Sequence, residues 1–331
     1  MKYFVIFLYD MLSYLFKILA KFEKSFTQNL GKKLPFTLKE FETQTQKKIQ
    51  LFLSQNLHLS TAVSQRLINK NRVFKLDMTP YKMSEIIEEE RLIVALFEGH
   101  TRGLKPLLTF NDFALFDKPT HLMVHPISKQ TPYSLLDEIR YHFGEESNLI
   151  HRIDAETSGL VLVGLNYESI VDLKTMFEQK KYQKSYLAIV EGEIKETLYI
   201  DSKLEKEGQL IGVRMKAGNE GKESLTIIHP IQYNAKRDIT LIEAIPVTGR
   251  QHQIRVHLYS KGHKILGDPI YGIDDENAEN YLNKTLSNED RFNITKSHRL
   301  WLHANYLEFE YKGIVYKICS KNKDLFEEFH R

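Results

Sequence analysis

The chain of 331 residues lacks several features that would assign it to a class at once. Its single cysteine, Cys319, excludes an internal disulfide and permits a reducing compartment. The sequence contains no phosphate-binding P-loop, no dinucleotide-binding glycine fingerprint and no Gly-x-Ser-x-Gly nucleophile motif. Net charge is small as well, because 46 Lys and Arg against 43 Asp and Glu leave only +3, too little to indicate a polyanionic partner. These absences favour binding, or chemistry that needs no organic cofactor.

Long apolar runs are also scarce. Apolar residues dominate from Tyr3 to about Phe22, but Asp10 and Lys17 interrupt them, whereas a membrane-spanning helix needs about 18 or more uncharged residues. The weakly basic start and the poor cleavage site do not fit a secretory signal. For residues 1–34, an amphipathic extension, a surface-associating helix and a processed leader all stay open, and we expect no stable membrane association.

A small helical module is predicted after this extension. Ile49, Phe52 and Leu53 share one face of a first helix, and Ser60 is placed to cap a second. Between residues 62 and 75, the second helix and the turn after it carry no acidic residue but four basic ones, which are Arg66, Lys70, Arg72 and Lys75. From charge alone, a solvated helix face and an RNA contact both stay open.

The order of these segments, followed by the stretch RLIVAL at 91–96, resembles the α-L RNA-binding module that is named after a ribosomal small-subunit protein. In that module the basic second helix lies against RNA. The sequence departs from it at residues 75–77 and 90–91, where turn residues are usual. The resemblance implies that Arg66, Lys70 and Arg72 contact RNA.

Beyond residue 107 the pattern changes to short strand-like runs separated by turn residues. Strands are predicted at 108–116, 159–165, 185–190, 225–229, 239–245 and 306–316, and helices at 133–143, 167–179 and 250–260. Because strands and helices do not alternate regularly, an α+β fold with a mixed sheet fits better than a doubly wound one. The polar stretch 272–296 is predicted to be a surface loop or insertion.

One aspartate stands at the mouth of a predicted strand. The stretch HRIDAETSGL at 151–160 places Asp154 in a turn, where Thr157 and Ser158 can donate hydrogen bonds to it. A carboxylate that donors and a cation hold ionised can act as a nucleophile or a base. An ordinary turn aspartate would have the same spacing.

One arginine projects from the predicted helix at 250–260. Thr248 and Gln251 have the spacing of a capping box at its start. Arg255 then aligns with His252, and it is either a surface residue or the buried partner of a carboxylate. The two histidines of this helix lie on different faces and the lone cysteine offers no thiolate cluster, so no zinc site is expected.

A third candidate is an alternating strand that ends in a glycine turn. Lys184 and Tyr186 lie on the same face of this strand, so the tyrosine ring could stack on a base. Packing in the core is the ordinary role of a strand tyrosine and stays open.

Seven motifs in a fixed order resemble the RluA/RluD-type family of RNA pseudouridine synthases. They lie at 117–126 (DKPTHLMVHP), 151–160, 184–186 (KSY), 221–226 (GKESLT), 249–257 (GRQHQIRVH), 262–272 (GHKILGDPIYG) and 302–304 (LHA). The resemblance spans about 107–320. It departs at His121, Ile153, Lys264 and Tyr311, none of which removes an ionisable role.

This resemblance implies a mixed, mainly antiparallel catalytic domain at 106–331, after an RNA-binding module at 35–105 and the extension at 1–34. It also implies that the enzyme isomerises uridine within RNA without a metal or an organic cofactor. By resemblance, Asp154 is the catalytic aspartate, Tyr186 the base-stacking tyrosine and Arg255 the partner of the aspartate. Residues expected to contact the substrate RNA are Arg152, Lys184, Arg250 and His252.

The separate RNA-binding module favours ribosomal RNA of the large subunit over transfer RNA, by analogy. A non-catalytic RNA-binding or ribosome-assembly factor is the alternative. We expect a cytoplasmic monomer.

Overall fold

The computed structural model describes residues 36–43, 45–126, 131–208 and 211–331. The predictions for residues 1–34 lie outside this range. Within the described residues, no helix has the length and apolar character needed to cross a membrane.

An N-terminal unit, residues 36–97, has its own sheet and its own core. Its elements are β1 (Phe36–Glu42), α1 (Ile49–Asn56), α2 (Thr61–Asn69), β2 (Val73–Phe74) and β3 (Arg91–Phe97). The strands form an antiparallel sheet in the order β1-β3-β2, and the core contains Phe52, Leu67 and Val94. The Ser60 side chain accepts a hydrogen bond from the Val63 N–H, which confirms the predicted cap of α2.

Strand β1 was not predicted from the sequence. Its residues are mostly exposed or half-buried, so the segment lacks the hydrophobic alternation that predicts a strand. It forms because the whole of β1 pairs with β3, from Phe36 opposite Phe97 to Glu42 opposite Arg91.

The remaining described residues build a large mixed sheet, which we call the central sheet. Its strands are β4 (Leu108–Thr109), β5 (Phe113–Lys118), β6 (Asn148–Leu149), β7 (Ser158–Gly164), β8 (Tyr182–Glu191), β9 (Leu198–Asp201), β12 (Leu225–Asn234), β13 (Ile239–Pro246), β14 (Leu302–Tyr311) and β15 (Ile314–Cys319), and beside it lies the hairpin of β10 (Lys203–Lys206) and β11 (Met215–Gly218). The order is β4-β5-β7-β14-β8-β13-β12-β9, with β6 on β7 and β15 on β14. Among these pairings only β7 with β14 is parallel, so the predicted α+β fold with a mainly antiparallel sheet is confirmed.

Six described helices accompany the central sheet. They are α3 (Leu135–Phe143), α4 (Tyr167–Glu178), α5 (Gln253–Ser260), α6 (Asp275–Leu282), α7 (Asn288–Thr295) and α8 (Lys323–His330). The prediction of a surface loop at 272–296 is wrong, because α6 and α7 lie there. Each is short and polar, and each is capped by a side chain, Asp274 or Ser287, that accepts the backbone N–H three residues on.

Two predicted strands are each a hairpin. The segment 108–116 divides into β4 and β5 around a polar turn, and 306–316 into β14 and β15. At the second turn both Lys312 and Gly313 have positive φ, the backbone conformation of a two-residue hairpin turn.

Strand β7 is buried along its whole length and leads out of the loop that carries Asp154. Leu160 and Leu162 pack into one hydrophobic cluster and Val161 into another, because successive side chains point to opposite faces. At the start of the strand, Gly159 has a φ of +105° and pairs with Ala304. A Cβ on Gly159 would lie 2.3 Å from the Ala304 carbonyl oxygen. The base of the Asp154 loop is therefore rigidly packed.

Candidate active site

A buried lysine donates hydrogen bonds to the backbone of the loop that carries Asp154. The Nζ of Lys118, at the end of β5, donates to the carbonyl oxygens of Pro119 (2.9 Å), Leu122 (2.8 Å) and Ala155 (2.9 Å). Burial lowers the pKa of Lys118 to about 7, although two nearby carboxylates oppose this effect. Since Ala155 directly follows Asp154, the lysine fixes the backbone beside the candidate catalytic carboxylate.

A second buried group ties the same loop to helices α6 and α7. Glu156 accepts hydrogen bonds from Arg291 Nη2 (2.6 Å) and from the Tyr281 hydroxyl (2.5 Å), and it lies 2.8 Å from His121 Nδ1. Burial acts to raise the pKa of Glu156, but the hydrogen bond of His121 and the charge of Arg291 outweigh it and bring the value to about 2. The loop is thus anchored at Ala155 and Glu156, the two residues that directly follow Asp154.

Arg255 projects from α5 and contacts two carboxylates. Its Nε and Nη2 donate to Asp268 Oδ2 at 2.8 Å and Oδ1 at 2.7 Å, and its Nη1 donates to Asp154 Oδ2 at 3.4 Å. The pKa of Arg255 is raised, since the charges of Asp268 and Asp154 outweigh the burial that lowers it. Asp268 also accepts the backbone N–H groups of Ile270 and Tyr271. The arginine is therefore permanently charged and held in one orientation beside Asp154.

The start of α5 differs from the prediction. The helix begins at Gln253 instead of residue 250, because His252 has a φ of +53°, which a right-handed helix excludes. Thr248 does not form a capping box with Gln251. Its hydroxyl donates to the side chain of Gln253 at 2.6 Å, and that side chain also accepts the backbone N–H of Arg250.

The His252 ring stands over Asp154 as a neutral group. Its Nε2 lies 3.7 Å from Asp154 Oδ2, and its Nδ1 lies 2.9 Å from the Tyr271 hydroxyl, which accepts the backbone N–H of Met215. Burial, and then the charge of Arg255, lower the pKa of His252 to about 4. The Tyr271 contact favours the tautomer with its proton on Nε2, which faces the carboxylate.

Strand β8 supplies a tyrosine and a lysine to the same space. Burial, and then the charge of Asp154, raise the pKa of Tyr186, so its phenol stays neutral at neutral pH. Burial lowers the pKa of Lys184 to about 8. The Lys184 ammonium lies over the Tyr182 ring at 5.4 Å and over the Tyr186 ring at 6.0 Å.

A three-ring stack forms one wall beside this lysine. His151 stacks on Phe177 with ring centres 4.7 Å apart, and Phe177 stacks on Tyr182 at 4.2 Å. Burial, and then the charge of Lys184, lower the pKa of His151 to about 3, so this ring is neutral. Flat aromatic faces of this kind are the surfaces on which unpaired bases stack.

These elements enclose a cavity of about 430 Å³. Seven residues singled out from the sequence line it, which are Arg152, Asp154, Lys184, Tyr186, Arg250, His252 and Arg255. The other three, Arg66, Lys70 and Arg72, line a different cavity beside the N-terminal unit. Among the described residues, no group of three or more His, Cys, Asp or Glu side chains is placed to hold a metal ion.

Several residues of the site were missed from the sequence. Asp268 lies in the motif at 262–272, but no spacing rule links it to Arg255, which is 13 positions away. Phe177 lies in the helix predicted at 167–179 and Tyr182 precedes the strand predicted at 185–190, and neither was singled out from the sequence. Lys118 lies in the motif at 117–126, yet its burial depends on contacts with a loop 37 residues further along the chain.

Comparisons with known proteins assign the chain to a family. Residues 112–260 match the family described as RNA pseudouridylate synthase. An uncharacterized RNA pseudouridine synthase of Helicobacter pylori is 38% identical over 301 residues, covering 89% of this chain and 97% of that protein. The chain belongs to the RNA pseudouridine synthase family. Within that family this synthase is of the RluA/RluD type, as its motifs indicated, and it is an isomerase.

Other relatives of the synthase carry more specific names. Ribosomal large subunit pseudouridine synthase D of Nitrosomonas europaea is 33% identical and covers 51% of this chain and 50% of its own. The mitochondrial tRNA pseudouridine(32) synthase of Saccharomyces cerevisiae is 28% identical and covers 78% of this chain and 59% of its own. The solved structure of human RNA Pseudouridylate Synthase Domain Containing 1 has a TM-score of 0.54 at 24% identity, covering 68% of this chain and 86% of that one, and it shows the same fold.

Proposed function

We propose that the synthase converts specific uridines of large-subunit ribosomal RNA to pseudouridine, with Asp154 as the carboxylate that attacks or deprotonates the ribose. In this reaction the bond between N1 of uracil and C1′ of the ribose breaks and a bond between C5 and C1′ forms. The proton lost from C5 is balanced by a proton gained at N1, so no co-reactant is consumed. The supporting observation is that Asp154, Tyr186 and Arg255, from three separate motifs, line one cavity.

Asp154 has the surroundings of a reactive carboxylate. Its side chain is 31% exposed, so a ribose can reach it, while Arg255 contacts it from the buried side. A fixed guanidinium orients a carboxylate that must act as a nucleophile or base. Two nitrogens of the Arg255 guanidinium donate to Asp268, and only Nη1 donates to Asp154. Arg255 therefore orients the Asp154 carboxylate from one side and leaves it open to a substrate.

Tyr186 and the stack of His151, Phe177 and Tyr182 offer aromatic surfaces to the uracil base of the substrate. The neutral phenol of Tyr186 can stack on the freed uracil and assist proton transfer, but it cannot act as a phenolate at neutral pH. A uridine inside an RNA helix must leave its stack to reach Asp154. The stack of His151, Phe177 and Tyr182 gives that base, or its neighbour in the RNA, an aromatic wall.

Basic side chains around the cavity suit the RNA backbone. Arg152 and Arg250 are exposed at its rim, and Lys184 lies inside. Cations placed in this way neutralise phosphates and position a substrate without reading its sequence.

The choice of ribosomal RNA rests on the N-terminal unit, which resembles an α-L RNA-binding module, and on relatives named for the ribosomal large subunit. Transfer RNA is the second candidate, because another relative is named for it.

Pseudouridine mapping on purified RNAs tests this proposal. Unmodified large-subunit ribosomal RNA and a transfer RNA pool, both transcribed in vitro, are incubated with wild-type protein and mapped by chemical labelling of pseudouridine. We expect new pseudouridine at a few positions of the ribosomal transcript. Conversion confined to the transfer RNA pool would overturn the ribosomal assignment, and no conversion in either would overturn the proposed activity.

A further inference from the structure

A second basic cavity lies where the N-terminal unit meets the central sheet. It has a volume of about 490 Å³. Arg66, Lys70 and Arg72 line it from the N-terminal unit, and Arg140 lines it from helix α3 on the other side. The two parts of the chain therefore share a pocket that neither forms alone.

Two of its arginines are stacked on a pair of phenylalanines. The guanidinium of Arg72 lies 4.2 Å from the ring centre of Phe36, and that of Arg140 lies 4.4 Å from the ring centre of Phe97. The two rings pack edge to face, with centres 5.2 Å apart. Stacking restrains a guanidinium while leaving its N–H edge free to donate, which suits it to bind a phosphate.

Positive charge is in excess in this cavity. The Arg140 side chain is 7% exposed and its Nη1 lies 3.3 Å from Glu145 Oε2. Its Nε is buried and has no hydrogen-bond partner among the described residues. Of the other acidic groups near the cluster, Asp137 faces His100 at 3.2 Å.

Burial is the main cause of the lowered pKa values of two arginines here, and neighbouring positive charge adds to it. Burial, and then the charges of Arg66 and Arg72, lower the pKa of Arg140 to about 10, although Glu145 and Asp137 oppose them. Burial and the charge of Arg66 likewise lower the pKa of Arg72. Glu145 and Asp137 both act on Arg140, but the residues that line the cavity include four basic side chains and no acidic one, so a further anion would stabilise the cluster.

We propose that this cavity binds a backbone phosphodiester of the substrate RNA, with Arg66, Arg72 and Arg140 as its ligands. The inference rests on the proposed function and adds a site on the catalytic part of the chain. Asn148 also lines this cavity, while Ile150 and Asp154 line the catalytic one. Six residues of chain span at most about 20 Å, so one RNA can reach both cavities.

The test measures how RNA binding by the full chain depends on salt. The probe is unmodified large-subunit ribosomal RNA transcribed in vitro. Each phosphate contact contributes about 0.7 to 0.9 to the slope of log K against log salt concentration. We expect Arg72→Gln and Arg140→Gln each to reduce that slope by this amount. The matched control is Arg91→Gln, an exposed arginine of the N-terminal unit outside the cavity, which should leave the slope unchanged.

Glu145→Gln separates a binding role from a purely structural one. It removes the carboxylate that competes for Arg140, so we expect tighter RNA binding, which misfolding cannot produce. Measured over a range of RNA concentrations, Arg72→Gln should raise KM for pseudouridine formation by a larger factor than it lowers kcat, because Arg72 lines the second cavity and not the catalytic one.

Unchanged salt slopes in both arginine variants, or no gain in affinity with Glu145→Gln, would overturn the proposal. So would Arg140-dependent thermal stabilisation by inorganic phosphate without any change in the RNA slope, since that result indicates a small-anion site. If wild-type protein binds this RNA but modifies none, the proposed function fails, and the slopes still decide the role of the cavity.

Discussion

Removing the charge of Asp268 should uncouple the arginine that holds the candidate catalytic carboxylate. Asp268→Asn keeps the size of the side chain and one carbonyl oxygen. That oxygen can still accept the N–H groups of Ile270 and Tyr271, which Asp268 Oδ1 accepts now. The new amide group, however, faces an N–H group of Arg255, so one of the two short bonds is lost and the buried guanidinium loses its main counterion.

The size of the effect follows from burial. Arg255 and Asp268 have exposed fractions of 2% and 1%, and removing one partner of a buried ion pair costs about 3–5 kcal/mol. Because asparagine retains an acceptor, we expect a loss near the lower limit, about 3 kcal/mol in the free energy of unfolding. For a chain of this size that loss lowers Tm by about 4 °C. Arg255 can then shift against Asp154, so kcat should also fall, by about tenfold or more.

The assay is urea unfolding together with pseudouridine formation at saturating RNA. Asp275→Asn is the matched control, since Asp275 is an aspartate at the start of α6 with a side chain 62% exposed, and its loss should change the unfolding free energy by less than about 0.5 kcal/mol. An Asp268→Asn protein that unfolds within about 0.5 kcal/mol of wild type would refute the reasoning.

Two further predictions concern the loop base and the cavity. Gly159→Ala should lower the free energy of unfolding in urea titrations by about 2 kcal/mol or more, because the new Cβ meets the Ala304 backbone. The control is Gly103→Ala, which also has positive φ but no atom within 4 Å of the new Cβ, and it should cost about 1 kcal/mol. Equal costs for the two variants would contradict the packing argument. Lys184 loses its proton as the pH rises through about 8, so KM for RNA should increase between about pH 7 and 9. Lys184→Arg should abolish that increase, because arginine stays charged there. A KM profile that keeps the same rise in the arginine variant would exclude Lys184 as its source.

The sequence was most informative where a local rule applies. Ser60 was recognised as a helix cap because cap chemistry depends on neighbours three residues away. Strand β7 was recognised because it is a short apolar run bounded by turn residues. In contrast, the roles of Asp154, Tyr186 and Arg255 came from family resemblance, since spacing alone also allowed a turn aspartate, a core tyrosine and a surface arginine.

The sequence was least informative where distant contacts decide the structure. No local rule predicts from residues 250–253 that His252 takes a left-handed conformation. Its ring contacts Tyr271, 19 positions away, and the next residue, Gln253, accepts a hydrogen bond from Thr248. The helices α6 and α7 were overlooked because their sequences are polar, and their docking depends on Glu156, more than 100 residues earlier. The same limitation applies to the partnership between Arg255 and Asp268.

The most direct test of the central claim is pseudouridine formation by Asp154→Asn protein. The RNA is unmodified large-subunit ribosomal RNA, and Asp112→Asn, the same chemical change at a carboxylate paired with Lys312 away from the cavity, is the matched control. We predict that Asp154→Asn unfolds at the wild-type urea concentration, binds the RNA, and forms pseudouridine at a rate lower by on the order of 10⁴-fold or more, while Asp112→Asn keeps the wild-type rate. Pseudouridine formation by Asp154→Asn at a rate near that of wild type would contradict the account.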